Sequence, residues 1–194
     1  MSAASLPKVV KPSARDRLLA AADELFYAEG VHTVGIDRVF EHAGVAKASL
    51  YSSFGNKDGL IRAYLEGRRQ RRRDRITAWV ERYDDPQDRV LSVFDMLADL
   101  AAMPTYRGCA FYNATAESPP GSTTEQVSNE FRGWIRGLLI DLAREAGAKD
   151  PEALAAQLVI LYDGASVGAR MNGSPAAALT ARAIAATLLD AATR

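Results

Sequence analysis

The chain has 194 residues, 48 % of them apolar, and its 24 Lys+Arg balance its 24 Asp+Glu, so the formal charge is zero. That length holds one large domain or two small ones and buries a sizeable core. No run reaches the roughly 18 apolar residues of a membrane span and the first residues lack a signal peptide's apolar stretch, so a cytoplasmic location is expected. One cysteine, Cys109, excludes an intrachain disulfide or a multi-cysteine zinc site, and two histidines, His32 and His42, make no His-rich cluster. No metal or cofactor is expected.

Residues 1–12 carry Lys8 and Lys11 between Pro7 and Pro12 and show no periodicity. They read as an arm, either a plain tail or a basic extension toward DNA. Ser13 followed by Asp16 is a helix start. Leu18, Leu19, Ala22, Leu25 and Phe26 then form one apolar stripe, closed by Gly30.

The stretch Gly30 to Lys57, GVHTVGIDRVFEHAGVAKASLYSSFGNK, carries the most information. Ile36, Val39 and Phe40 have helical spacing, and Ala43-Gly44-Val45 is a sharp stop at which Gly44 can take positive φ. Lys47 to Phe54 makes a second short helix with Leu50 and Phe54 inward. Its outer face shows Lys47, Ala48, Ser49, Ser52 and Ser53, the small and hydrogen-bonding groups that let a helix enter a major groove. The pattern is a helix-turn-helix, and the partner it names is double-stranded DNA.

A long helix is expected from Lys57 to about Tyr83, interrupted in pattern by RRQRRRDR at Arg68 to Arg75. This run reads as a solvated face, with phosphate contacts or pairing to acids of the body as the other reading. Asp85-Pro86 opens a helix reaching about Ala102, and a short one runs from about Arg107 to Glu117. A long helix is expected from Thr123 to Ala146, another from Pro151, and an alanine-rich one from Ala176 to Ala192 after the turn Asn172 to Pro175. No strand alternation is sustained, so the fold class is all-α. Its expected parts are the arm 1–12, a three-helix DNA-binding domain 13–58 and a helical domain 59–194. Residues 1–75 hold 14 Lys+Arg against 9 Asp+Glu, a net of +5, and residues 76–194 hold 10 against 15, a net of −5. This division reads as a basic DNA-facing end and an acidic body.

The succession LFYAEG, a short helix, AGVAKASLYSSF and NKDGL, from Arg15 to Leu65, resembles the TetR family of transcriptional regulators. The resemblance implies phosphate contacts by Tyr51 and Lys57, and groove-edge and backbone contacts by Lys47 and Ala48. Ser52 and Ser53 stand at positions more often larger or aromatic in the family, Ser53 frequently being a histidine, which leaves the operator sequence open. Val34 replaces a frequent threonine, and either Thr33 or Gly35 then caps the second helix. Thr33 completes the candidate DNA-binding set Lys47, Ala48, Ser49, Tyr51, Ser52, Ser53 and Lys57.

The last two helices, 151–170 and 175–192, carry little charge and need cover on more than one side. They form either an intrachain core or a four-helix interface between two copies; the resemblance implies the homodimer. It also implies a pocket for a small-molecule effector and makes the Lys57–Tyr83 helix the lever. Met96, Met103, Phe111, Asn113, Trp134 and Tyr162 are candidate ligand contacts, with Glu117 and Asp163 as further polar anchors. Taken singly, each reads as ordinary core. Cys109 reads either as a redox-sensing thiol or as a small buried hydrophobe. No G-x-S-x-G elbow, Walker loop or H-E-x-x-H is present, so no catalytic residue is named and no enzyme is expected. The expected function is a DNA-binding regulator, a repressor released from a near-palindrome by ligand. The alternative is an architectural dimer without ligand response.

Overall fold

The structure, a computed structural model, describes residues 12–116 and 118–194. The expected arm, with Lys8 and Lys11, and the candidate anchor Glu117 lie outside the described residues. Among the described residues there are nine helices and no strand: α1 Ala14–Glu29, α2 Ile36–Ala43, α3 Lys47–Phe54, α4 Lys57–Val80, α5 Pro86–Ala101, α6 Ala110–Ala116, α7 Thr123–Glu145, α8 Pro151–Asn172 and α9 Ala176–Thr193. The fold is all-α. The described residues divide into two compact units, one up to Tyr64 and one from Leu65.

The division falls inside α4. Leu60, Ile61 and Tyr64 are buried, and the Tyr64 ring meets Phe26 of α1 edge-on at 5.6 Å. The first two turns of α4 therefore belong with the smaller unit. There, Leu18, Ala22, Leu25 and Phe26 of α1, Val39 of α2 and Leu50 of α3 make a small core. The start of α1 is fixed as its sequence indicates: Ser13 Oγ accepts the Asp16 N–H at 3.1 Å, and the Asp16 carboxylate reaches back to the Ser13 N–H.

In the larger unit α5 is the central element. Val90, Val93, Phe94, Met96 and Leu97 are fully buried, and the helix packs on α7, α8 and α9. Asp85 caps α5 by accepting the N–H groups of Gln87 and Asp88, with Pro86 at its first position. Ser122 and Asp150 cap α7 and α8 in the same manner. The α8–α9 contact is close: a Cβ added at Gly168 would lie 2.9 Å from that of Ala177. By length and composition α9 could span a bilayer, although the sequence shows no unbroken apolar run. Its Arg182 pairs with Asp95 of α5 at 2.7 Å, and Ala178, Ala181, Ala185 and Leu189 are buried along one side.

Helix α4 ends at Val80, short of Tyr83. After it the Arg82 and Tyr83 N–H groups donate three residues back, at 3.2 and 3.4 Å, so the chain tightens and leaves the α-helix. The larger departure concerns the arginine run, which is not a solvated face. Arg69 pairs with Glu130 of α7. Arg72 Nη1 donates to the Tyr162 hydroxyl of α8 at 2.7 Å, and the Arg73 guanidinium lies 4.9 Å from the Trp134 ring centre. Arg75 Nη1 is 3.7 Å from Met103 Sδ. Four arginines thus fasten this part of α4 to the helical body.

Candidate nucleic-acid interface and ligand cavity

The turn between α2 and α3 is built on Gly44, whose φ of 61° is the left-handed conformation that a Cβ opposes. The Val45 N–H then reaches back to the Phe40 carbonyl at 3.1 Å. Arg17 of α1 holds this turn from below, donating to the carbonyls of Gly44 at 3.0 Å and Ala43 at 3.4 Å. The Arg38–Glu29 ion pair and the contact of His42 Nε2 with the Glu24 carboxylate at 2.9 Å span from α2 to residues of α1. Leu50 is the buried anchor of α3, while Phe54 is half-buried under the Arg15 guanidinium, 5.1 Å from its ring centre. None of Arg15, Arg17 or Arg38 follows from the motif; their positions on α1 and α2 are visible in sequence, but their partners are not.

The candidate contact residues fall on a continuous stretch around α3. Lys47, Ala48 and Ser52 are exposed, and Ser49 and Ser53 are half-buried. Tyr51 is 48 % exposed, an aromatic ring that the small core does not enclose. The Ser52 hydroxyl donates to the Ser49 carbonyl at 3.2 Å. Lys47 Nζ is 3.5 Å from an Asp37 carboxylate oxygen, and both side chains are largely exposed. Such a pair contributes about 0–1 kcal/mol, so a phosphate can take the lysine from it. Thr33 is exposed in the turn before α2 and does not cap it; Gly35 is the cap residue, without a side-chain bond. Val34 is buried, which accounts for an apolar side chain there.

Lys57 begins α4, directly after Asn56, whose side-chain oxygen accepts the Gly59 N–H at 2.8 Å. Its cation is held at two costs. Partial burial lowers the Lys57 pKa from its ordinary value, against the pull of Asp58, and the helix N-terminus disfavours positive charge. An anion beside Lys57 relieves both.

A second site lies wholly in the larger unit. Residues of α6, α7 and α8, with Cys109 just before α6, line a cavity of about 660 Å³. Its apolar wall includes Phe111 and Phe131, stacked at 4.3 Å between ring centres, with Tyr112, Ile135, Val167 and Met171. Polar groups share the lining. Thr115 donates to Ser128, which itself bonds the Thr124 carbonyl at 2.7 Å, and Arg132 pairs with Asp163 at 2.6 Å. A smaller cavity of about 330 Å³ is lined in part by Met103, Tyr106 and Arg170.

With these features in place, the relatives identify the family. The description "Bacterial regulatory proteins, tetR family" matches residues 18–64. The crystal structure of SCO4454, a TetR-family transcriptional regulator from Streptomyces coelicolor, is 34 % identical, with a TM-score of 0.88 over 93 % of this chain and 96 % of that one. The chain belongs to the TetR family. A TetR-type transcriptional regulator from Streptomyces avermitilis is 32 % identical, with a TM-score of 0.78 over 93 % of this chain and 98 % of that one. Over 52 residues the chain is also 42 % identical to the HTH-type transcriptional activator FasR of Mycolicibacterium smegmatis, which is 27 % of this chain and 24 % of that protein. TetR-family proteins are DNA-binding transcriptional regulators, and this chain is one of them rather than an enzyme.

The ligand residues named from sequence are distributed unevenly in this TetR-family body. Phe111 lines the larger cavity and Met103 the smaller. Met96 is sealed in the α5 core. The Asn113 amide donates to the Arg107 carbonyl at 2.8 Å, tying α6 to the loop before it. Trp134 lies one layer behind the cavity, 6.0 Å from the Phe131 ring and against Arg73. Tyr162 is buried and receives the Arg72 bond; burial raises its pKa, and the arginine opposes that. Of the extra polar anchors, Asp163 lines the cavity. The residues missed, Ser128, Arg132 and Ile135 on α7 and Val167 and Met171 on α8, repeat at three- and four-residue spacing along single faces. That spacing was readable, but nothing local marked those faces as the cavity side.

Proposed function

We propose that this protein is a cytoplasmic repressor that binds a near-palindromic operator as a homodimer and leaves it when a small ligand occupies the α6–α7–α8 cavity. The observation that carries the reading is the shared anchor on α8. Tyr162 takes the hydrogen bond from Arg72 of α4, and the next residue, Asp163, is in the cavity wall. A ligand that moves this turn of α8 changes the seat of α4, the helix that begins with Lys57. A thousandfold loss of operator affinity requires about 4 kcal/mol of differential binding between two states.

In this reading α3 lies in the major groove, with Lys47, Ala48, Ser49, Ser52 and Ser53 toward bases and backbone, Tyr51 and Lys57 on phosphates and Thr33 at the edge. Pairing through α8 and α9 sets two such helices about one helical turn apart. Tyr51→Phe and Lys57→Ala are expected to weaken binding to every sequence. In titrations against salt, Lys57→Ala should lower the slope of log K on log salt by about 0.9 per lost phosphate contact; an unchanged slope removes Lys57 from the phosphate contacts. Lys47→Ala should also shift base preference. The whole reading is tested by selecting bound duplexes from a random pool with purified protein. An enriched palindrome that candidate ligands release supports it, and flat affinity across sequences with no ligand effect rejects it.

A further inference from the structure

We infer that the larger cavity takes a hydrophobic organic cation, an apolar body carrying an ammonium group, which replaces Arg132 at Asp163. The inference rests on the reading above, in which that cavity is the effector site, and it names the ligand's charge. The Arg132–Asp163 pair joins α7 to α8 across the cavity wall at 2.6 Å. Its two members differ in depth: the arginine side chain is 60 % exposed and the aspartate 42 %. Burial raises the Asp163 pKa from its ordinary value, and Arg132 offsets that only in part.

The alternatives are unequal. An anionic ligand drawn to Arg132 stands beside the Asp163 carboxylate, the less exposed of the two charges, and is repelled by it. A cation avoids this cost. It pairs with Asp163 and releases Arg132 toward water, where most of that side chain already lies. The displaced contact is a largely exposed ion pair, the kind that contributes least to stability. The rest of the wall agrees, because Phe111, Phe131 and Tyr112 place aromatic rings beside the pair, and the quadrupole of an aromatic ring attracts a cation over its face. The apolar residues Ile135, Val167 and Met171 accept the body of the ligand.

The test uses the full-length protein without DNA and three probes sharing one chain: decyltrimethylammonium, decyl sulfate and decanol, all below their micellar concentrations. Binding is followed by calorimetry and by tryptophan fluorescence, since Trp134 lies 6.0 Å from the cavity residue Phe131. The cation is expected to bind at least tenfold tighter than decanol or decyl sulfate. Asp163→Asn should bring the cation's affinity down to that of decanol measured in the same variant, and Arg132→Gln should tighten cation binding severalfold by removing the competing guanidinium. Asp163→Asn should fold normally. Because Asp163 has a raised folded-state pKa, its contribution to stability is present below the unfolded-state pKa and lost as pH rises through the folded value. At neutral pH the substitution therefore removes a desolvated charge. A preference for decyl sulfate, a cation preference that survives in Asp163→Asn, or no cation binding overturns the inference. A cation that binds through Asp163 but leaves operator DNA bound upholds it and rejects release by ligand. Release by decanol or decyl sulfate alone does the reverse.

Discussion

Gly59→Ala is expected to disable the DNA-binding unit while sparing the helical body. On an exposed helix this change normally stabilises, by about 0.4–1 kcal/mol, because glycine has more conformational freedom to lose. Here the sign reverses. A Cβ at Gly59 would overlap the Phe54 carbonyl oxygen and stand 3.1 Å from its carbon. The obstacle is backbone at the end of α3, not a side chain that can turn aside. The same residue donates its N–H to Asn56 at 2.8 Å, so the first turn of α4 cannot move off without losing its cap. Overpacking of this kind costs about 1–3 kcal/mol or more, a large share of what a unit of residues 1–64 can hold. Hydrogen exchange should show amides of residues 13–64 losing protection while those beyond 65 keep it, and operator binding should fall at least a hundredfold. Gly67→Ala is the control. On the same helix its Cβ would meet only the end of the Arg71 side chain, at 3.4 Å, and it should not weaken binding. Parent-level DNA binding by Gly59→Ala would refute the close approach.

Ile160→Glu combined with Leu179→Glu is expected to convert the dimer to monomers. Ile160 is 69 % exposed and Leu179 is 53 % exposed, and Ile184 and Met171 stand out similarly on α9 and α8. In a lone chain four large apolar side chains on two adjacent helices would be left in water. The pairing through α8 and α9 proposed above would cover them, at about 1.5–3 kcal/mol for a fully buried side chain. A twofold axis presents every substitution twice, so two glutamates in the chain put four charges into one interface. Sedimentation should then report the 20.9 kDa of a single chain. Affinity for a palindromic duplex should fall at least a hundredfold, while binding to an isolated half-site is retained because α3 is untouched. A variant that still sediments at twice that mass would place the interface elsewhere.

The charge distribution separates what the sequence carries from what packing decides. Divided at residue 75, the chain looks like a basic reading head on an acidic body. Divided where the structure divides, residues 1–64 hold 8 Lys+Arg against 7 Asp+Glu, a net of +1. The missing charge lies in the run from Arg68 to Arg75, where Arg69, Arg72, Arg73 and Arg75 meet groups of the body. The inference toward DNA therefore stands on the helix-turn-helix and its placed side chains and no longer on bulk charge.

Helix order, the cap at Ser13, the helix starts at Asp85-Pro86 and Asp150-Pro151, the glycine turn at Gly44 and the inward Leu50 were all determined by the sequence alone. Each depends on residues within about one helical turn of one another, so local spacing specifies them. The partners of the α4 arginines, the deep burial of Met96 and the pairing of Arg132 with Asp163 were decided only by tertiary structure. A helix carries several faces at once, and which of them meets a cavity, a core or water depends on helices dozens of residues away in the chain.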